Sequence, residues 1–320
     1  MHTQSEKSSC ATFHTKGSEK NFITVMDMNY TKNDICAIVV LYNPSLSILK
    51  MNMEAMQKSV GKAYLVDNSD HELPPCELYG FENFTYIPNH DNLGIAKALN
   101  IGVSRAADDG FKLAITMDQD STFPEGFVSR ALDYYNRADD KVAIVAPNIL
   151  QFEGATKTSE ASCAETTLDY ALTSGSLMRI DAYQQVGGFK DFLFIDGVDM
   201  ELCYNLRKSG FLIIRLNDAF MQHSLGNNAK EIKLFGLYLF SVLNENYIRY
   251  YYIYRNYLYL SSIYNQEPVN ERWNLIGSLV KTFFKMLFFE PDKTRKIKSI
   301  FRGIKDYSSN KFGRISSEYL

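Results

Sequence analysis

The sequence predicts an α/β fold with a mostly parallel central sheet and a helical, basic C-terminal appendage, and three observations carry that prediction. Short apolar runs recur between residues 35 and 146, segments of helical composition separate them, and several runs end in Asn or Asp. Alternating strands and helices give an open sheet covered on both faces. Ligands of such sheets bind beyond the carboxyl ends of the strands, where those polar residues fall.

The elements follow in chain order. Residues 1–33 are polar and without periodicity, which reads as a disordered leader, and Met26 and Met28 leave room for a later start. Ile35 to Tyr42 is a continuous apolar run closed by Asn43-Pro44, the pattern of a strand buried on both faces. A helix is expected over 46–59. Ala63-Tyr-Leu-Val-Asp67 forms a second strand that ends in Asp67-Asn68-Ser69-Asp70, turn chemistry with free carboxylates. Phe84 to Ile87 reads as a third strand, Gly94 to Arg105 as a helix, and Lys112 to Met117 as a fourth strand running into Asp118-Gln119-Asp120. Val142 to Ala146 continues the sheet, Gln151 to Thr167 is polar enough for a mobile loop over the site, and Leu212 to Leu216 is a further strand. The α/β domain is placed at 34–230, in two parts (34–120 and 121–230), and residues 231–320 are read as a helical C-terminal region.

Composition narrows the function. The chain has 320 residues, 46% of them hydrophobic, enough to bury a large core. Net charge is -3, so the basic excess of a nucleic-acid binder is missing. Charge is unevenly spread: residues 271–320 carry 11 Lys/Arg against 5 Asp/Glu, a balance of +6 that leaves -9 for the rest. Five scattered cysteines without a C-x-x-C pair suit neither a disulfide framework nor a zinc cluster, and fit a reducing cytoplasm. The chain opens without the pattern of a secretory signal and has no long uncharged apolar run.

Asp118 and Asp120 flank Gln119 at a strand end. Two carboxylates so spaced can share one hard cation, and Mg2+ or Mn2+ would in turn neutralise a diphosphate. A pair of helix caps in a loop would look the same. Tyr247 to Tyr264, crowded with tyrosines around Arg249 and Arg255, is read as a helix packing its rings into the core, with a sugar or lipid platform as the second reading. Residues 273–305 interleave Lys281, Lys285, Lys293, Arg295, Lys296, Lys298, Arg302 and Lys305 with Phe, Leu and Ile, as expected of an interfacial helix pair on an anionic membrane. A solvated face on an oligomer-forming helix is the alternative.

Ile35 to Pro44, Val66-Asp-Asn-Ser69, Asn92 to Gly102 and Met117-Asp-Gln-Asp120 resemble, in this order, the nucleotide-binding half of the family 2 glycosyltransferases. Thr173-Ser-Gly-Ser-Leu-Met-Arg179, Val186-Gly-Gly-Phe189 and Phe194-Ile-Asp-Gly-Val-Asp-Met-Glu-Leu-Cys203 resemble its acceptor half. The wording is closest to the rhamnosyltransferase branch, and His223-Ser-Leu-Gly226 and Arg255-Asn256 point the same way. The resemblance spans roughly residues 35–260 and implies that 34–230 is a catalytic domain, with 34–120 its nucleotide-binding half and 121–230 its acceptor half.

It implies a GT-A fold and an inverting displacement at the anomeric carbon, which needs one general base and a Lewis acid. Asp199 matches the family's base, although Val198 stands where an acidic residue often precedes it. Asp196 and Glu201 are its rivals, and a helix-capping aspartate is the plain alternative. The helix N-terminus is expected to keep Asp199 ionised at neutral pH. Asp118, Asp120 and His223 would hold Mg2+ or Mn2+. Asn43, Asp67, Asn92, Gly94, Lys97 and Asp118 would contact the donor, and Ser174, Gly175 and Asp196 the acceptor, with the Ser174 and Ser176 hydroxyls free for sugar. The implied enzyme is cytoplasmic and peripheral at the inner face of the membrane. It moves L-rhamnose from dTDP-L-rhamnose to a cell-surface polysaccharide or lipid-linked oligosaccharide. UDP-galactofuranose, UDP-glucose or UDP-N-acetylglucosamine as donor, or a non-catalytic nucleotide-sugar-binding protein on the same fold, are the alternatives, and a homo-oligomer is allowed.

Overall fold

A continuous apolar strand needs cover on both faces, and the arrangement of β1 (Ile35–Leu41) supplies it. Ile35, Ala37, Val39 and Leu41 pack into one core cluster, and Cys36 and Ile38 into another on the opposite face. The computed structural model describes residues 29–71, 73, 78, 80–123, 126–150, 164–222, 230–234, 237–242, 244–264, 269–316 and 318.

Eight strands form the central sheet. With β2 (Lys62–Asp67), β3 (Phe84–Pro88), β4 (Leu113–Asp118), β5 (Val142–Leu150), β6 (Glu165–Thr167), β7 (Ser176–Arg179) and β8 (Leu212–Gln222), their order is β3-β2-β1-β4-β7-β5-β8-β6. The pairs from β3 across to β4 are parallel, as is β5 with β8. β7 runs antiparallel between β4 and β5, and β6 is antiparallel on β8. The helices α1 (Leu46–Ser59) and α3 (Phe127–Tyr135) cover one face, while α2 (Ile95–Asp108), α4 (Ile180–Gln185) and α5 (Val198–Lys208) cover the other. Because β1 lies between β2 and β4, the ends of these three strands form one open edge, and Asn43, Asp67 and Asp118 all stand there.

Two expectations are corrected. Residues 29–33, assigned to the leader, are held on the domain: Tyr30 N–H donates to Asn136 Oδ1 at 2.7 Å, and Thr31 N–H to Asp34 at 2.8 Å. The C-terminal region is not helical from 231, because β9 (Lys230–Leu234) and β10 (Leu237–Val242) first make an antiparallel ribbon. Helix then takes over in α6 (Tyr247–Ile263), α7 (Val269–Phe289) and α8 (Lys293–Ser308). Tyr250 and Tyr254 of α6 pack with Leu279 and Met286 of α7 and Ile300 of α8, so the tyrosine-rich helix does serve as core. Lys296 and Glu290 form a buried ion pair at 2.6 Å, which removes Lys296 from the basic surface expected of this region.

Candidate active site

At the end of β4 the chain turns, with Ser121 N–H donating to Asp118 O at 3.3 Å. Gln119 is drawn aside onto β1: Tyr42 N–H donates to Gln119 Oε1 at 2.7 Å, and Gln119 Nε2 donates to Tyr42 O at 3.0 Å. The buried amide of Asn52 braces the loop from α1, donating to Ser121 O at 2.7 Å and accepting from Phe123 N–H at 3.3 Å. Asp118 is half-buried and Asp120 exposed. Their oxygens are the hard ligands that Mg2+ or Mn2+ takes, with diphosphate oxygens and water able to complete the shell. Among the described residues no cluster of three or more His, Cys, Asp or Glu forms a ready-made cage. His223 lies outside the described residues.

The donor-side residues are more engaged with the protein than expected. Asp67 is buried, and its carboxylate accepts from Ser69 N–H (2.9 Å), Ser69 Oγ (2.5 Å) and Tyr86 OH (2.6 Å). It shapes the β2 end as a turn anchor. Asn43 is exposed in the left-handed region (φ 47°), with its N–H on Ser69 Oγ at 2.8 Å and its amide on Asp70 at 3.3 Å. Asn92 Oδ1 accepts Gly94 N–H at 3.0 Å, and Lys97 is paired with Asp191 at 2.8 Å. Gly94 has φ 83°, and a Cβ there would lie 2.6 Å from the Phe194 ring, so glycine is required by the approach of Phe194.

Ser174 and Ser176 are a correction, because neither hydroxyl is free for sugar. Ser174 is buried, donating to Ser121 Oγ at 2.9 Å and accepting Asp118 N–H at 3.2 Å. Ser176 donates to Leu172 O at 2.5 Å. Gly175 (φ 79°) donates its N–H to Thr116 O at 2.7 Å, and its missing side chain leaves room for Met221. These residues support Asp118 from beneath.

The acidic loop before α5 brings the second carboxylate group. Asp199 sits in the first turn of α5, half-buried, and accepts Met200 N–H at 2.9 Å. Burial pushes its carboxyl up to about 6, against the backbone hydrogen bonds, and the charges of Asp196 and Asp118 add to the rise. Desolvation and two like charges thus outweigh the favourable helix N-terminus. The group is still about nine-tenths ionised at neutral pH, and a base of this strength is well matched to proton abstraction there. Asp196 has φ 64° and is half-buried, with Arg249 paired to it at 3.2 Å. Burial raises its carboxyl while the Arg249 guanidinium pulls against that rise. Glu201 is buried, with Asn205 Nδ2 donating to one of its oxygens at 2.8 Å and the other oxygen without a hydrogen-bond partner among the described residues.

Arg255 and Asn256, noted in sequence only as markers, clamp this loop. Both are fully buried. Asn256 Nδ2 lies within hydrogen-bond distance of the carbonyls of Leu193 (2.9 Å), Ile195 (2.7 Å) and Asp196 (2.9 Å). Arg255 donates to the carbonyls of Phe192 (3.2 Å), Leu193 (3.0 Å) and Gly313 (2.6 Å), with its guanidinium over the rings of Tyr251, Tyr252 and Phe312. Phe194 stacks on Tyr252 at 5.1 Å, and its carbonyl accepts Ile95 N–H at 2.7 Å, tying the loop to the start of α2. No local sequence pattern announces these contacts, because their partners lie about 60 residues apart.

Residues 63–179 match the model of glycosyl transferase family 2. The dTDP-rhamnosyl transferase RfbF of Shigella flexneri is 26% identical over 220 residues, 64% of this chain and 73% of that protein. Among solved structures, the mannosyltransferase PcManGT from Pyrobaculum calidifontis, in complex with GDP-Man and Mn2+, aligns with a TM-score of 0.52 at 11% identity, covering 88% of this chain and 76% of that one. The S. aureus TarS 1-349 fragment in complex with UDP-GlcNAc aligns with a TM-score of 0.53 at 13% identity, covering 85% and 80%. These structural likenesses are to the fold.

Proposed function

We propose that this chain, whose residues 63–179 match the family 2 glycosyltransferase model and whose fold is like that of GT-A enzymes, transfers a sugar from a nucleoside diphosphate to a glycan hydroxyl, with Asp199 as the base. The observation that carries this reading is Asp199 itself: a carboxylate raised to about 6, held at the first turn of α5 and within the field of Asp118. In one displacement the acceptor oxygen bonds to the anomeric carbon, the bond from that carbon to the diphosphate breaks, and the acceptor proton passes to Asp199. Asp118 and Asp120 would hold Mg2+ or Mn2+, which when bound supplies Lewis-acid charge to the departing diphosphate. The turn anchored by Asp67 and Asn43 would form the floor for the nucleoside, with Asn92, Gly94 and Lys97 on its far wall. Asp196, paired with Arg249, would set the height of the acidic loop beside the acceptor.

For the donor we infer dTDP-L-rhamnose, supported by the likeness to the Shigella flexneri dTDP-rhamnosyl transferase. The acceptor is then a hydroxyl of a growing cell-surface polysaccharide or its lipid-linked precursor. A panel of dTDP-rhamnose, UDP-galactofuranose, UDP-glucose and UDP-N-acetylglucosamine with the purified chain tests this. Release of dTDP from dTDP-rhamnose above the UDP-sugars is expected, and turnover confined to a UDP-sugar would overturn the rhamnosyl assignment.

The appendage favours a place on the inner face of an anionic membrane. Trp273, Val280, Phe284 and Phe288 are exposed on α7 at helical spacing, Phe301 is exposed on α8, and Lys281, Lys293, Arg295, Lys298 and Lys305 are exposed around them. Apolar rings rimmed by cations suit the boundary between headgroups and acyl chains. Among the described residues no helix is long and apolar enough to cross a membrane.

A further inference from the structure

A cavity of about 250 Å3 opens where α5, α6 and α7 meet, with Tyr170, Met200, Tyr257, Asn274 and Ser278 in its wall. Met200 in its wall directly follows Asp199 in α5, so the cavity lies beside the site, with the Asp199 carboxylate outside its lining. Burial first, and then nearby acidic charge including that of Asp199, push the phenols of Tyr170 and Tyr257 upward, so both rings stand within the field of that carboxylate. Tyr264 closes the far end, its hydroxyl donating to Met200 O at 3.0 Å.

The lining decides what chemistry fits. Tyrosine rings offer faces for C–H groups, and Met200 and Leu275 add apolar surface. The hydroxyls of Tyr170, Tyr257 and Ser278 and the amide of Asn274 make no hydrogen bond among the described residues. An acyl chain would desolvate those four polar groups without repaying them. A phosphate would seek the Arg207 guanidinium, which is turned onto Asp169 at 3.5 Å. A sugar ring satisfies both halves, with its C–H face on the aromatics and its hydroxyls on the amide and hydroxyls.

We propose that this cavity is a subsite for one uncharged pyranose ring of the acceptor glycan, next to the place where Asp199 takes the acceptor proton. The subsite rests on the reading of Asp199 as the base. It makes α7 part of the acceptor site, which gives the helical appendage a role in choosing the acceptor.

The test is saturation-transfer NMR on the full chain with the methyl pyranosides of glucose, galactose, mannose, rhamnose and N-acetylglucosamine, with and without Mg2+ and dTDP. At least one glycoside is expected to bind, at roughly millimolar affinity. Ser278→Trp, which fills the cavity from α7, and Tyr170→Ala, which removes the opposite wall, are each expected to weaken it tenfold or more. Both positions are exposed, and an unchanged melting temperature verifies that each variant is folded. Loss in either variant supports the subsite; no binding by any glycoside in either condition, or binding unchanged in both variants, overturns it. A dTDP titration on the same samples separates the two readings. The subsite fails alone if dTDP binds and no glycoside does, and the donor reading fails alone if the reverse is seen.

Discussion

Replacing Asp199 by Asn should abolish transfer and at the same time stabilise the protein, by an amount that depends on pH. The carboxyl titrates near 6 in the fold, against about 3.9 in an unfolded chain. A raised carboxylate pKa means that the folded state holds the proton more tightly, so stability falls as pH rises from about 4 to about 6 and stays low above that. Integrated over the two values, the cost is about 3 kcal/mol at pH 7.5 and about 1 kcal/mol at pH 4.5. These are upper figures, since solvent reaches part of the group. Asn keeps the shape and the acceptor oxygen for Met200 N–H but cannot ionise. At about 2 °C per kcal/mol for a chain of this size, Asp199→Asn should melt up to about 6 °C higher than the parent at pH 7.5 and up to about 2 °C higher at pH 4.5. Calorimetry in EDTA makes the comparison without bound metal. The charged or titratable groups around Asp199, namely Asp196, Asp118, Tyr170, Tyr257 and Cys203, are common to both proteins. In the parent, transfer should fall about tenfold per pH unit below 6. A melting difference that is absent, or equal at the two pH values, would refute the buried-base reasoning, as would transfer retained by the variant.

Three further outcomes follow from the same structure. Asn256→Ala removes the buried donor that holds three loop carbonyls and should cost about 2–4 kcal/mol, with kcat reduced more than the KM for donor; an unchanged kcat would show that the clamp does not position Asp199. Lys296→Met leaves Glu290 buried without its cation and should destabilise the chain by about 3–5 kcal/mol in urea titration, whereas a loss under 1 kcal/mol would place that pair in contact with water. The full chain should float with vesicles containing phosphatidylserine and not with neutral ones, and Phe284→Ser with Phe288→Ser should abolish flotation; equal binding to neutral vesicles would remove the charge argument.

The sheet was legible because its signal is local. Ile35 to Tyr42 and Lys112 to Met117 are apolar without interruption, and such runs have few homes except the middle of a covered parallel sheet. The helix over 46–59 came out with those bounds, and Asn43, Asp67 and Asp118 fell at strand ends because strand ends are where apolar runs stop. What was lost is whatever depends on where a side chain turns after folding. Ser174 and Ser176 look like free hydroxyls in Thr173-Ser-Gly-Ser, yet β7 inserts antiparallel beside β4 and carries both into the interior. Lys296 reads as one more cation in a basic helix until Glu290 is seen against it. The rise of the Asp199 carboxyl was also out of reach: a helix N-terminus is visible in sequence, while the burial of Asp199, and the nearness of Asp118 about eighty residues earlier, are not.

One asymmetry bears on how such a site is built. The family match ends at residue 179, before the acidic loop, yet the loop's height is set by residues later still. Asn256 and Arg255 hold the carbonyls from Phe192 to Asp196, Arg249 holds the Asp196 side chain, and Gly313 returns to donate its N–H to Phe192 O at 2.7 Å. Arg314 reaches the donor-side loop, pairing with Asp91 at 2.6 Å. Carbonyl groups are what the clamp grips, and they are the same whatever side chains the loop bears. The clamp therefore places the loop through its backbone and leaves the Asp199 carboxylate out of its hydrogen bonds, provided that Arg255 and Asn256 remain. The Arg255 guanidinium is satisfied by carbonyls, rings and the Tyr251 hydroxyl, which itself donates to Asp306 at 3.0 Å, so that clamping the loop does not use up the acidic groups that the chemistry needs.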